Sequence, residues 1–385
     1  MKKGLLYGLI ILLIIVGAAA VFLRGSFQQD PVIEESTTEK ETEVDKITDT
    51  DESMDTSESE LKQKDDKKTS DLTKDTAYES HEQKTSQEDT KVSKFSYLPI
   101  EDNILHRAVM VSVENTPPAR PQAGLNEAPI VYEFLVEGGI TRFLVLYWAD
   151  IPEKIGPIRS LRPYMIDIAK EYKALLLHAG ASPEGFAMLQ SKNPPSLDQI
   201  FNGKYYWRSD QKRSPHNLYT GEYRISDYLN EMLGVEYENR FNFEEIMIIS
   251  NVKQKAEVID IDYWGNYKVI YEYNSEDNTY LRFLNNDKTP HYVENGDQIR
   301  VKNIIVQFVK TQVKDDVGRL GMEITGENKA LYFRNGLVSE GTWKKTDNGL
   351  TKFYNNENKL IKVNPGNTWI QVVPTNTKIT YKESE

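Results

Sequence analysis

The chain has 385 residues and no cysteine, and that absence excludes disulfides, thiolate nucleophiles and zinc sites built on sulfur. A lipid anchor is excluded too, since there is no cysteine to acylate. Complete catalytic signatures are also missing. There is no G-x-S-x-G, H-E-x-x-H or Walker A sequence, which weakens the case for an enzyme without removing it. Histidines and carboxylates occur without metal-ligand spacing, so no metal is expected and no cofactor is called for. The last twenty residues hold no second hydrophobic run.

What is present begins with Gly4 to Leu23, twenty uncharged residues, the length at which a helix spans a bilayer's hydrocarbon core. Lys2 and Lys3 precede it and only Arg24 follows closely, so the positive-inside bias puts the N-terminus in the cytoplasm. The expectation is a single-pass protein of the cell membrane, anchored by residues 1–24, with its globular part extracytoplasmic. Ala18-Ala19-Ala20 supports a competing reading as a signal-peptidase site, which makes the segment a cleaved signal peptide.

Between Asp30 and Lys94 there are 21 acidic and 10 basic residues, a local charge of -11. Ser, Thr and Gln fill most of the rest, and such a stretch buries too little apolar surface to offset the entropy of ordering. Residues 25–96 therefore read as a disordered acidic linker, which holds the folded part about 40 to 50 Å from the membrane on average. Lys2, Lys3 and Arg24 contribute +3, so the overall -12 leaves -4 for residues 95–385. The acidity belongs mainly to the linker. A nucleic-acid partner is excluded by compartment and by this charge.

The remaining length suits two domains. Residues 97–237 read as a mixed α/β domain. Arg107 to Val113 forms a strand, and Ile130 to Glu137 pairs with Ile140 to Trp148 across a two-residue Gly138-Gly139 turn of type I′. That turn pairs Val136 with Thr141, Leu135 with Arg142 and Glu133 with Leu144, and puts Tyr132, Phe134, Val136, Phe143, Val145 and Tyr147 on one apolar face. Glu133, Leu135 and Glu137 share the other face with Arg142, diagonal to both carboxylates and close enough for an ion pair. Glu133 and Glu137 lie about 13 Å apart along a strand, wider than the roughly 6.5 to 9.5 Å of an inverting glycosidase pair.

In GPIRSLRPYMIDIAKEY, Leu161, Tyr164, Met165, Ile168, Ala169 and Tyr172 recur at helical spacing, with Ser160 as cap and Pro163 in the first turn. Arg159, Ser160 and Arg162 thus surround a helix start, whose free N–H groups and dipole favour an anion. Ala174 to Leu177 reads as a strand ending at His178, and Ser182-Pro183 starts another helix. Strand ends facing helix starts are where α/β domains place ligands, which makes His178 and Ser182 candidates. From Tyr205 to Thr220 the chain is polar, aromatic and basic without periodicity, so an exposed loop is expected. It offers Arg208, Arg213, His216 and Asn217 to the same anion, with Tyr206 or Trp207 as a stacking surface for sugar.

ARPQAGLNEAPIVYEFLVEGGITRF, GPIRSLRPYMIDIA, HAGASP and RSPHNLYT occur in that order, and together they closely resemble the N-terminal domain of YerB-like proteins. GTWKK and NPGNTWIQVVP resemble the C-terminal domain of that family. The resemblance covers nearly everything after the linker. It implies an extracytoplasmic bacterial protein with a mixed α/β domain and a smaller β-rich one, and it supplies no catalytic residues. The chain departs from the family's lipoprotein pattern by lacking the cysteine, with the apolar segment in place of the lipid.

Residues 242–381 read as the β-rich part. Strands are expected at Glu257 to Tyr263, Tyr267 to Tyr273, Tyr280 to Leu284, Asn303 to Val309 and Thr368 to Val373, with turns at Trp264-Gly265-Asn266, Asn335-Gly336 and Asn364-Pro365-Gly366. Tyr271, Tyr273, Tyr280 and Arg282 suggest a hairpin with a partly exposed aromatic face. His291 and Trp343 are candidates for a shared cleft, set against core or surface roles. The fold class is α+β.

Three functions compete. One is binding of an anionic wall component, such as a glycan, lipid-linked phosphate or peptide carboxylate, through Arg142, Arg159, Arg162, Arg208 and Arg213. Another is a hydrolase or a phosphoryl or glycosyl transferase, with His178 or His216 as acid and base. The third is a protein interaction module, which calls for an exposed apolar patch. Binding is favoured because clustered cations are legible and a nucleophile with its base is not.

Overall fold

The computed structural model describes residues 91–100, 106–232, 234–244, 254–264 and 267–384. The expected membrane segment, most of the linker and Gly265-Asn266 lie outside these residues. Among the described residues, no helix is long and apolar enough to cross a membrane.

The structure is mixed α and β with sheet predominating, as the sequence predicts. Its N-terminal segment supplies β1 (Val109–Glu114), β2 (Ile130–Leu135), β3 (Thr141–Tyr147), β4 (Leu175–His178) and β5 (Ser196–Asp198). It also supplies α1 (Pro163–Glu171), α2 (Pro183–Lys192) and α3 (Glu222–Asn230). From the C-terminal segment come β6 (Val258–Trp264), β7 (Tyr267–Asn274), β8 (Thr279–Leu284), β9 (Asn303–Val313) and β10 (Leu320–Glu323). These are followed by β11 (Gly326–Arg334), β12 (Leu337–Lys345), β13 (Lys352–Asn355), β14 (Thr368–Pro374) and β15 (Lys378–Lys382).

One large sheet runs β13-β12-β11-β9-β14-β2-β3-β1-β4-β5. Strand β14 is parallel to β9 on one side and to β2 on the other, so it joins the two segments in a single sheet. Because β2 and β1 are each antiparallel to β3, β1, β4 and β5 are mutually parallel, and β12 is antiparallel to β11 as β11 is to β9, seven strands point the same way. The carboxyl ends of β9, β14, β2, β1, β4 and β5 therefore share one edge, the side on which such sheets place ligands.

Every residue of β2 and β3 is buried, so both faces of the sheet are core. Val131, Leu135, Phe143, Val145 and Tyr147 lie on one face, and Tyr132, Phe134, Val136, Leu144 and Leu146 on the other. The expected grouping of Tyr132, Phe134 and Val136 with Phe143, Val145 and Tyr147 is corrected by one register step. Glu137–Gly139 form a 3-10 turn, Val136 N–H donates to the Ile140 carbonyl at 2.8 Å, and Leu135 pairs with Thr141. Glu133 then faces Phe143, and Arg142 faces Phe134. A slip of one residue turns every side chain over, so Glu133 and Arg142 point to opposite faces and the expected ion pair does not form.

Helix α1 buries Tyr164, Met165, Ile168 and Ala169 as their spacing predicts. Its start differs: Arg162 is the N-cap and contributes no side-chain cap bond, while Ser160 lies in the extended chain before it. Helix α2 starts as expected, with Ser182 Oγ accepting from Gly185 N–H at 3.1 Å.

A second sheet, Thr289–Pro290 with β8, β7, β6 and β15, covers the Val131 face. Tyr271 pairs with Arg282 and Tyr273 with Tyr280. The face expected to be partly exposed is instead buried at Tyr271, Tyr280 and Arg282, because it packs on the first sheet. His291 and Trp343 share no cleft: both are buried, and Trp343 donates to the Phe308 carbonyl at 2.7 Å in the other core.

Candidate functional site

Residues 156–162 form an extended strap over the carboxyl edge. Glu114 N–H donates to the Pro157 carbonyl, Arg159 N–H to Ser112, Ile158 N–H to Leu218 and Leu161 N–H to Gly180. Its first residue must be small: Gly156 has φ +146, and a Cβ there would meet the Leu218 carbonyl oxygen at 2.7 Å. The strap thereby fixes Arg159, Ser160 and Arg162 against the end of β1 and the start of α1.

Three of the five expected arginines gather here. Arg159 is paired with Glu114, with Nε at 2.8 Å from Oε2 and Nη2 at 3.0 Å from Oε1. His216 Nδ1 lies 2.9 and 3.0 Å from the same carboxylate oxygens, and Thr116 Oγ1 donates to it at 2.6 Å. Arg162 bridges to Glu137 with Nε at 3.0 Å and with Nη2, and its Nη1 donates to Ser160 Oγ at 3.1 Å. Burial works against the Glu137 charge, but the hydrogen bonding and the charge of Arg162, with smaller help from a backbone N–H and Arg142, together outweigh it and hold the carboxyl below its ordinary range.

Arg142 is the exception. It is buried, and its Nη1 donates to the Ser160 carbonyl at 2.7 Å and to Ser160 Oγ at 3.3 Å. Among the described residues it has no carboxylate within ion-pair distance, and its buried Nε has no hydrogen-bond partner. Burial first, and the neighbouring Arg162 second, push its pKa down to about 10. Arg142, Arg159 and Arg162 against Glu114 and Glu137 leave one positive charge in excess.

The structure brings other expected residues near this edge without joining them to the cluster. Arg208 is exposed and donates to Asn217 Oδ1 at 2.9 Å, Asn217 in turn bonds the Ser209 carbonyl at 2.8 Å, and Arg213 is exposed. The 205–220 segment is more ordered than expected, since Trp207–Arg208 pairs with Leu218–Tyr219. Tyr206 is buried, with its hydroxyl bonded to the Leu197 carbonyl, so it presents no stacking surface, while Trp207 is half-buried and stacks on Tyr219. Ser209 and Lys212 match the S-x-x-K spacing. Lys212 is nevertheless fully engaged, by the Ala119 carbonyl, Tyr219 and Glu294 at 3.1, 3.1 and 2.8 Å and by the Pro121 carbonyl.

His178 is wholly buried at the end of β4. Its Nδ1 lies 2.9 Å from the Gly180 carbonyl, which can only accept, so Nδ1 carries the proton and buried Nε2 has no partner. Burial lowers its pKa against the opposing effects of Gly180 and Asp198, whose Oδ2 is 4.0 Å away. Asp198 Oδ1 accepts from Gly180 N–H at 2.8 Å and Ile200 N–H at 3.0 Å, so the pair also shapes the turn.

Glu133 belongs to a second network on the opposite face. Arg282 Nη2 lies 3.0 Å from its Oε1 and 2.9 Å from its Oε2, the latter a charge contact without good hydrogen-bond direction. Thr141 and Tyr267 hydroxyls donate to Oε1 at 2.7 and 2.9 Å. Arg282 also donates from Nη1 to Tyr271 at 2.6 Å and from Nε to His291 Nδ1 at 3.0 Å, and it stacks over Trp369 at 4.8 Å. With Nδ1 accepting, His291 Nε2–H donates to Gln122 Oε1 at 2.9 Å. Glu114, Arg282, Asn115 and Gln122 were not singled out as site residues. Of these Glu114 had a visible signal, a carboxylate at the end of a largely apolar strand. Among the described residues, no three His, Asp or Glu side chains form a metal-ligand set.

The cluster sets a buried guanidinium without a counter-charge beside Ser160, next to an imidazole oriented by Glu114. Comparisons with known proteins fit this two-part chain. The family model described as "Protein of unknown function (DUF3048) N-terminal domain" matches residues 97–236, and its C-terminal counterpart matches residues 259–370. YerB, a proposed lipoprotein of Bacillus subtilis (strain 168), is 32% identical over 277 residues, spanning 70% of this chain and 81% of the relative. A crystal structure of the Bacillus subtilis YerB protein superposes with a TM-score of 0.67 at 29% identity, covering 75% of this chain and 99% of that one. The chain therefore belongs to the DUF3048 family of YerB-like proteins.

Proposed function

We propose that this protein is a membrane-tethered receptor of the bacterial cell envelope that binds an anionic wall or lipid-linked component at the Arg142–Ser160–Arg162 edge. The location is supported by the name of the lipoprotein relative and by the apolar Gly4 to Leu23 segment, which lies outside the described residues. The single observation that carries the binding reading is Arg142. A buried cation with no counter-charge is costly, and an incoming anion relieves that cost. Glu114 and Glu137 already neutralise Arg159 and Arg162, so the site suits one anionic group better than several.

The test is ligand-induced thermal stabilisation of the full chain, titrated with polyprenyl phosphates, phosphorylated glycans and muropeptides. At a hundredfold excess over Kd a ligand specific for the native state adds about 2.7 kcal/mol, and that gain should vanish in Arg142→Met and in Arg159→Ala plus Arg162→Ala. Undiminished stabilisation in both variants, or none in wild type, overturns the reading.

A second reading is favoured by one geometric fact, the contact of His216 Nδ1 with both oxygens of Glu114. A carboxylate that orients an imidazole is an acid–base arrangement, suited to a hydrolase or transferase acting on the bound anion. Under that reading His216→Ala abolishes turnover while binding persists; under the receptor reading there is no turnover to lose.

A further inference from the structure

A cavity of about 760 Å³ opens at the far end of α1 from Arg162. Lys170 and Lys173 from the end of α1, Lys344 and Lys345 from β12, and Lys352 and Tyr354 from β13 line it. Five ammonium groups face three carboxylates, Glu171, Glu238 and Glu327, a surplus of two positive charges in the lining. None of this belongs to the arginine edge.

A further cation, Arg240, lies buried beneath the lining. Glu171 accepts from Arg240 Nη1 at 2.6 Å, Lys345 Nζ at 2.8 Å and Thr351 N–H at 2.8 Å. All three charged side chains are at most 5% exposed, and Arg240 is held over the Tyr172 ring at 3.7 Å. One carboxylate between two buried cations leaves a positive charge without a partner beside the cavity, a costly arrangement in the absence of an anion. The pairs at the rim, Lys344 with Glu327 at 3.4 Å and Lys352 with Glu238 at 3.6 Å, are exposed and weak, so a ligand can exchange them. Lys170 and Lys173 make no ion pair among the described residues. The dipole of α1 accounts for a cation at Lys170, but not for those on β12 and β13.

The residue type selects the chemistry. Planar carboxylates are matched by arginine forks, none of which lines this cavity, whereas lysines act as mobile point charges suited to phosphate. Several such charges spread around one opening, contributed by α1, β12 and β13, match several phosphates better than one. We propose that this cavity is a second, separate binding site, for a linear phosphate-bearing polymer, with Lys345 at its base and Lys170, Lys173, Lys344 and Lys352 at its rim.

Calorimetric titration of the full chain with linear polyphosphate and with inorganic phosphate tests this. Saturable polyphosphate binding is expected, at least about tenfold tighter than inorganic phosphate and weakened at least about tenfold by Lys170→Glu plus Lys173→Glu. Those two lysines are exposed, so this variant keeps the fold even where Lys345→Met does not. Arg159→Ala plus Arg162→Ala should leave the affinity unchanged, which separates failure here from failure of the arginine edge. Absence of saturable binding, equal affinity for inorganic phosphate, or undiminished binding by the Lys170/Lys173 variant overturns the proposal.

Discussion

Two polar clusters flank the same strands, and they solve the problem of a buried arginine in opposite ways. Glu114 and Asn115 are consecutive, yet Glu114 meets Arg159 and His216 while Asn115 joins the Glu133–Arg282 network. In the closed network, each guanidinium nitrogen of Arg282 has a partner. Burial opposes its charge, but Glu133 together with Tyr271, Tyr267 and Tyr263 outweighs burial and holds the pKa above its ordinary value. At Arg142 burial and Arg162 win, and the pKa falls to about 10. Burial alone therefore does not decide how an arginine's charge is met; what distinguishes Arg142 is the incompleteness of its surroundings.

The sharpest way to break this comparison is to open the closed network. Arg282→Met leaves Glu133 buried without its counter-charge, and urea denaturation should show a loss of about 3–5 kcal/mol, much of it recovered in Glu133→Gln plus Arg282→Met. A smaller effect comes with acid. Burial, then Arg282 and Arg120, hold the His291 pKa well below its ordinary 6.5, and burial lowers that of His178. Below about pH 6.5 the unfolded chain takes up protons that the native chain does not, so stability falls with pH, by at most about 1.4 kcal/mol per pH unit per histidine. His291→Gln, which preserves one acceptor and one donor, should flatten that slope in denaturation curves between pH 7 and pH 5. The smallest effect is expected on the open side. Arg142→Met removes an unpaired buried cation, and without ligand its stability should equal wild type or exceed it by about 1 kcal/mol; a loss as large as that of Arg282→Met ends the contrast.

Local signals in the chain were legible and non-local ones were not. Ser182-Pro183 announces a helix start, and the expected turn at Asn335-Gly336 is present, with φ +56 and +68, although the two strands it joins carry no such signal. The β2–β3 register was missed because both strands are buried on both faces, so alternation has no polar side to point outward. Strand β12 was not anticipated, nor was the pairing of β14 with β2. Glu133 was read against its hairpin neighbour Arg142, while its partner Arg282 lies 149 residues away in sequence. Arg142, Arg159 and Arg162 were visible as a group. Which of them lacks a counter-charge depended on Glu114 and Glu137, and so on the fold.

The central position of β14 bears on how the protein is made. Until Thr368–Pro374 has been synthesised, β2 and β9 both present unpaired edges and the large sheet exists only as two incomplete halves. Contacts of such long sequence separation form late. A nascent chain of this protein therefore stays unfinished through most of its synthesis, and the last strand of this sheet to be made closes it.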